Sequence, residues 1–343
     1  MSELVYPENL EIDNVFISKL KCFIECPSKY YWTYVRGIQS KYLSFPLFVG
    51  SAYHHGLELL YLGKHSDDLI LVEVNRFMDD YLKDYDIPDW QERSLEKQRG
   101  IALAMVKGYI AWIDRDDWDL PGADTHLNYK YVEQSFNYNP FLDSDSEMPY
   151  EGTIDLVGID SRNRAWVIDH KAFGLLPENQ KQILKTDMQL ALYMDATKRV
   201  LEENVVGAIY NVVLKPAIRQ RQSETPGEYL ERCGDLYLEQ PDKMFKRVLI
   251  EYTPQRVERM MTTIKHYTAL MEAMHNEAET PNILGAGAID AFPKNFSSCY
   301  KYGKTYGCPF RQLCEYARVG NSEEDMVQYT KNVRKERGNI IYG

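Results

Sequence analysis

Between Tyr129 and Leu214 the hydrophobic period changes from that of helices to that of strands. No other feature narrows the fold as much. Tyr129–Phe136 reads as a strand, Thr153–Ile159 as a second and Ala165–Lys171 as a third. The tight polar turn Asp160–Asn163 separates the second from the third, so these two are expected to form a hairpin. Helical spacing returns at Thr186–Arg199, and Val205–Leu214 is a fourth, β-branched strand. Three strands, a helix and another strand describe an α/β core. Phe245–Tyr252 is a candidate peripheral strand.

Helices are expected on either side of this core. Ile17–Trp32 is amphipathic, with Ser18 as a candidate cap and Pro27 dividing it into two helices. Ala52–Tyr61 follows Gly50, and Leu69–Tyr85 and Leu95–Ile113 are longer amphipathic candidates. The acidic stretch Asp114–Asp119 with Pro121-Gly122 closes the region. Pro177–Gln182 reads as loop and Pro254–His275 as a long helix. The tail from Pro281 is rich in Gly, Asn, Pro and Tyr.

Composition excludes some classes of function. The net charge of -11 argues against a histone-like coat on nucleic acid, but not against an enzyme that gathers carboxylates around a metal ion. No apolar run approaches the roughly 18 residues that span a bilayer, so no membrane role is expected. Residues 1–13 lack the basic and apolar segments of a secretory signal. Six cysteines are too few for a disulfide scaffold in a chain of 343 residues, which makes a reducing cytoplasm the expected compartment. The 26 tyrosines suit stacking on bases and packing in a core equally well.

The chemistry concentrates in Glu151–Val157 and Trp166–Lys171. Across the expected hairpin the Asp155 and Asp169 carboxylates can lie side by side. Lys171, two residues beyond Asp169, shares its face of the strand. Two carboxylates and an ammonium suit a hard cation such as Mg²⁺ and the hydrolysis of a phosphodiester. The plainer reading is an ion-paired turn. Against it, both aspartates lie within apolar stretches, where a carboxylate must be compensated by a metal or a partner. His170 alternates to the other face, leaving its backbone carbonyl as a further candidate ligand. His54 and His55 point in different directions on one helix, and Glu58, a turn beyond His54, is a candidate to orient it. Gln189 has two readings. Thr186-Asp-Met-Gln189 fits a capping box, whereas Gln189 and Tyr193 on one helix face fit contact with a substrate.

Taken in order, Gly50-Ser-Ala-Tyr-His54, Gly152-Thr-Ile-Asp155, Ile168-Asp169-His-Lys171 and Gln189-Leu-Ala-Leu-Tyr193 resemble the RecB-like exonucleases of the PD-(D/E)XK superfamily. That group includes nuclease domains of recombination helicases, CRISPR-adaptation exonucleases and phage exonucleases. The resemblance implies a restriction-endonuclease-like core, a mixed central sheet flanked by helices. One domain over 1–343 is implied, with a helical region at 14–120, the nuclease core at 129–252 and a final helix and cysteine-rich tail at 254–320. It implies Mg²⁺ or Mn²⁺ bound by His54, Asp155 and Asp169, catalysis by Lys171, and supporting roles for Gln189, Tyr193 and Glu133. Ile154 replaces the proline that gives the motif its name, and Asp169 stands where Glu is also found. DNA is the implied substrate and exonucleolytic cleavage the implied reaction. A structure-specific endonuclease and a non-catalytic DNA-binding subunit are the alternatives. No phosphate-binding P-loop motif is present, so unwinding would fall to a partner helicase or recombination protein.

The tail carries Cys299, Cys308 and Cys314 within one short segment, and Cys26 precedes the core. Clustered thiolates bind soft metals, as zinc or iron–sulfur sites. With Cys26 as the fourth ligand, or Cys22 in its place, the resemblance implies a structural [4Fe-4S] cluster, with Zn²⁺ as the alternative. Cys233 has no companion in the sequence.

Overall fold

A computed structural model describes residues 12, 14–113, 127–141, 148–176, 182–279, 288–300, 307–316 and 329–331. Strand β1 (Val15–Phe16) leads directly into helix α1 (Ile17–Glu25). Cys26 then adopts an extended backbone, and Pro27 opens α2 (Pro27–Tyr30), which runs into a π-helical turn at Tyr31–Val35. Proline at a first helical turn forfeits no intrahelical bond, so Pro27 restarts the helix and does not merely break it. Phe16, not Ser18, is the N-cap of α1, because the strand runs up to the helix without an intervening turn.

After the short β2 (Ile38–Ser40) come α3 (Phe45–Leu62), α4 (Asp67–Leu82) and α5 (Asp89–Ile113). Helix α3 starts well before Gly50, at a turn containing Pro46, and Gly63 closes it in the left-handed conformation at φ 64°. The acidic stretch expected to end α5 lies outside the described residues, as do residues 177–181 of the expected loop.

Strands β3 (Asn128–Tyr138), β4 (Tyr150–Ile159) and β5 (Ala165–Phe173) form the expected run. Helix α6 (Met188–Val200) returns the chain to β6 (Val205–Leu214), parallel to β5. A parallel pair needs such a crossover. Helix α7 (Pro226–Glu239), which sequence pattern alone did not reveal, has a full capping box from Thr225 and Glu228. Then follow α8 (Pro241–Met244), β7 (Phe245–Ile250), α9 (Pro254–Glu279), 3-10 turns at Ala288–Ala291 and Phe296–Tyr300, α10 (Arg311–Tyr316) and β8 (Tyr329–Lys331).

The sheet is mixed, in the order β1-β4-β5-β6-β7, with β3 also paired to β4. Helices cover both faces. Leu20 and Phe23 of α1, Leu190 of α6 and Ile264 of α9 join one core with Val167 and Val212. Phe48 and Tyr53 of α3 and Val106 of α5 join another with Val213 and Phe245. No helix among the described residues is long and apolar enough to cross a membrane.

The expected iron–sulfur cluster is overturned. Among the described residues, the one group of three or more His, Cys, Asp or Glu side chains with mutually close ligand atoms is His54, Glu133 and Asp155. No set of cysteines forms a second group, which removes the zinc alternative as well. Burial explains the thiols: it pushes Cys308 up to about 11 and raises Cys314, and both are neutral hydrogen-bonding groups in packed surroundings. The N-terminal segment is nevertheless tied to the tail, through polar contacts. Ser28 Oγ donates to the Phe292 carbonyl at 2.6 Å, and Ser298 Oγ and Asn295 Nδ2 donate to the Glu25 carbonyl, each at 2.8 Å. The Asn295 amide donates to Cys26 Sγ at 3.3 Å and Trp32 Nε1 to Cys314 Sγ at 3.2 Å.

Candidate metal and catalytic centre

The β4–β5 turn sets the register of the site. Asp160 Oδ1 accepts from the amides of Arg162 and Arg164, and Asn163 takes a left-handed φ of 57°. Pairing then runs from Ile159↔Ala165 to Leu156↔Ile168. One step further would set Asp155 against Asp169. There the ladder ends, and Asp155 Oδ2 accepts from the His170 amide at 2.7 Å. Strand β5 continues along β6 to Phe173. The two aspartates therefore flank a fork where β4 leaves β5.

On the other side of β4, pairs Val132↔Leu156 and Gln134↔Ile154 bracket Glu133 and set it opposite Asp155. Glu133 has φ 46°, a left-handed conformation that costs a residue with a side chain about 1–3 kcal/mol. Its carboxylate, Asp155 and His54 of α3 offer ligand atoms within 4.8 Å of one another. His54 Nδ1 is 3.5 Å from Asp155 Oδ2. Glu133, expected in a supporting role, thus stands among the three side chains that could hold a metal ion. Asp169 and His170 are not in that group.

Asp169, fully buried, is held by Lys171 Nζ at 2.8 Å from Oδ2 and by Gln189 Nε2, which donates to Oδ1 at 3.0 Å. Gln189 Nε2 also donates to the Tyr193 hydroxyl at 3.1 Å. Thr186 does not cap the helix. Asp187 is the N-cap of α6 and accepts from the Gln189 amide, which leaves the Gln189 side chain for Asp169. Gly152 belongs to this geometry too: a Cβ there would stand 2.8 Å from the Phe136 ring and 3.5 Å from Tyr193.

One expectation is corrected. Glu58 Oε2 bonds His55 Nδ1 at 3.1 Å and does not orient His54, because three residues, not four, match the pairing geometry here. As strand alternation predicts, the His170 imidazole packs away from the carboxylates, with Nδ1 2.8 Å from Asn211 Nδ2 and its ring stacked on Tyr61. Its backbone amide donates a hydrogen bond to Asp155 Oδ2.

Electrostatics fit a cation. Burial raises the Asp169 carboxyl to about 6 even though Lys171 opposes the shift, and Asp155 adds to it. Burial likewise raises Asp155, against Lys171 and the His170 amide. Burial, then Asp155, Glu58 and Asp169, push Glu133 well up. Burial and then Lys171 lower His54 to about 4, so it is a neutral imidazole, the form that ligates metal. Burial disfavours the Lys171 ammonium, but Asp169 and Asp155 outweigh it and raise its pKa. The raised carboxyl values express the cost of ionising three crowded, desolvated acids, a cost that a divalent cation taking the place of protons would offset.

Sequence reasoning missed Lys21 and Asp187. Lys21 Nζ lies 2.7 Å from Asp187 Oδ1 and donates to Gln189 Oε1 at 3.1 Å, and Tyr210 donates to Asp187 Oδ2. Asp187 follows the misread cap Thr186, a signal in hindsight. Lys21, on an amphipathic helix, offered none.

The chain belongs to the PD-(D/E)XK nuclease superfamily, whose family model matches residues 17–315. The match spans the fork, the His54 helix and the Gln189 helix alike. A crystal structure of a "Putative exonuclease" from Eubacterium rectale is similar, at 13% identity, over 82% of this chain and 88% of that chain, with a TM-score of 0.43. No curated protein matches.

Proposed function

We propose that this chain is a divalent-metal-dependent deoxyribonuclease of the RecB-like type that acts as an exonuclease on DNA ends. His54, Glu133 and Asp155 hold Mg²⁺ or Mn²⁺, and Asp169 and Lys171 complete the centre. The observation that carries this reading is the fork, where the His54–Glu133–Asp155 group adjoins the Asp169–Lys171 pair. A bound divalent cation would polarise a phosphate oxygen and acidify a bound water. The protein's own groups do the remainder. The Lys171 ammonium stays charged beside Asp169 and is the group assigned to stabilise charge developing on the phosphate. Gln189 and the His170 amide each fix one carboxylate. No side chain is assigned as a covalent nucleophile. Unwinding of duplex would be the task of a separate helicase or recombination protein.

The test is incubation of end-labelled linear DNA and circular DNA with Mg²⁺, Mn²⁺ or EDTA. Label should be released from linear DNA with metal alone, and circles should survive. Cut circles would replace the exonuclease by an endonuclease. A folded, metal-binding protein that cleaves neither would leave a DNA-binding subunit.

A further inference from the structure

A cavity of about 230 Å³ opens beside the fork, lined by Phe16, Ser18, Lys21, Lys171, Gln189 and Tyr193 among others. Two of these are lysines from elements far apart in the chain. Lys171 is committed to Asp169 at 2.8 Å. Lys21 is committed differently. An ammonium has three N–H donors. Two are used by Asp187 and Gln189, and among the described residues the third has no partner. The side chain is 37% exposed, enough to meet a ligand in the cavity.

Lys21 also determines how Gln189 is turned. An ammonium only donates, so the amide oxygen of Gln189 must face Lys21 and its NH₂ must face Asp169. One cation thus reaches both the cavity and, through Gln189, the Asp169 carboxylate.

We propose that Lys21 forms a phosphate subsite in this cavity, holding a backbone phosphate of the bound strand next to the one that is cleaved. This rests on the nuclease reading above. The subsite takes a phosphodiester oxygen at the third N–H of Lys21 and is blind to base sequence, as backbone contacts are.

The experiment measures binding of a fluorescein-labelled single-stranded oligodeoxynucleotide by anisotropy across a salt series in EDTA, where turnover cannot interfere. Loss of one phosphate contact reduces the slope of log K against log salt by roughly 0.7 for a single strand. Lys21→Met should show that reduction, and Lys21→Arg should restore it. Because Lys21→Met leaves Asp187 uncompensated, Lys21→Met/Asp187→Asn is measured alongside and should show the same loss. Wild-type binding with an unchanged slope in both Met variants overturns the subsite and leaves the nuclease reading standing. No binding by the wild-type chain also overturns the subsite, and the cleavage assay with Mg²⁺ or Mn²⁺ decides the nuclease reading separately.

Discussion

Gln189 lies 20 positions beyond Asp169 in the chain, yet its side-chain amide donates to that buried carboxylate at 3.0 Å. The contact joins the first turn of α6 to the strand that carries Asp169 and Lys171. It makes the orientation of one amide a condition of the site.

Replacing Gln189 should therefore impair turnover more than folding. Partners of this kind typically cost about 10–100-fold in activity or metal affinity when removed. Gln189→Leu should fall in that range. Gln189→Glu should be worse, since it sets a second carboxylate against Asp169. Steady-state cleavage rates in Mn²⁺ would rank the variants, and equal rates for Gln189→Glu and wild type would show that the contact is incidental.

Asp155→Ala, Asp169→Ala and Lys171→Ala should each reduce cleavage by at least about 10²-fold, the scale of losing a group that acts on transition-state charge. Binding of DNA should survive the Lys171 change. Cleavage by purified Asp169→Ala at the wild-type rate would falsify the assignment of the fork as the catalytic centre.

Stability should respond to metal in a pH-dependent way. Asp169 rises from 3.8 to about 6 on folding without metal, and Asp155 rises too. A carboxyl with a raised folded pKa favours folding while protonated, and that contribution disappears as pH climbs through the folded value. A divalent cation replaces the protons. The gain in Tm on adding Mn²⁺ should thus be larger near about pH 7.5 than near about pH 5, as read by differential scanning fluorimetry. A gain that shrinks with rising pH would contradict the carboxylate site.

The neighbouring histidines should separate cleanly. His54→Ala removes a member of the metal-binding group and should raise the Mn²⁺ concentration needed for half-maximal cleavage. His55 bonds Glu58 and stacks on Phe77 with ring centroids 4.7 Å apart. His55→Ala should lower Tm and leave the metal requirement alone. A shift in metal requirement from His55→Ala would reverse the two roles.

Much of the core was legible because its signals are local. The period-two runs, the Asp160–Asn163 turn and the Asp169–Lys171 spacing each lie within a few residues, and each became the expected element. Pro27 and its break were legible for the same reason. What failed depends on distance in sequence or on choice among near-equal neighbours. Thr186 and Asp187 are both good caps, and the tertiary bonds of Asp187 to Lys21 and Tyr210 decide between them. Glu58 could pair at three or four residues, and packing chose His55. The cysteines gave a persuasive spacing, but spacing does not fix whether thiols converge. The place of Glu133 beside His54 and Asp155 was not legible, because it comes from a register opposite Asp155 and from a backbone angle no sequence pattern announces.

That backbone angle has a consequence for how the site behaves before it acts. Natural sequences are minimally frustrated, with local and global preferences in agreement. At Glu133 they disagree: the backbone is left-handed within a strand, and the side chain faces other buried acids. The resting fork is a locally frustrated spot in an otherwise consistent fold. Substitutions that relieve the conflict, such as Glu133→Gly, would make the protein calmer and less able to capture a cation. Stability alone gives no reason for a glutamate at this position.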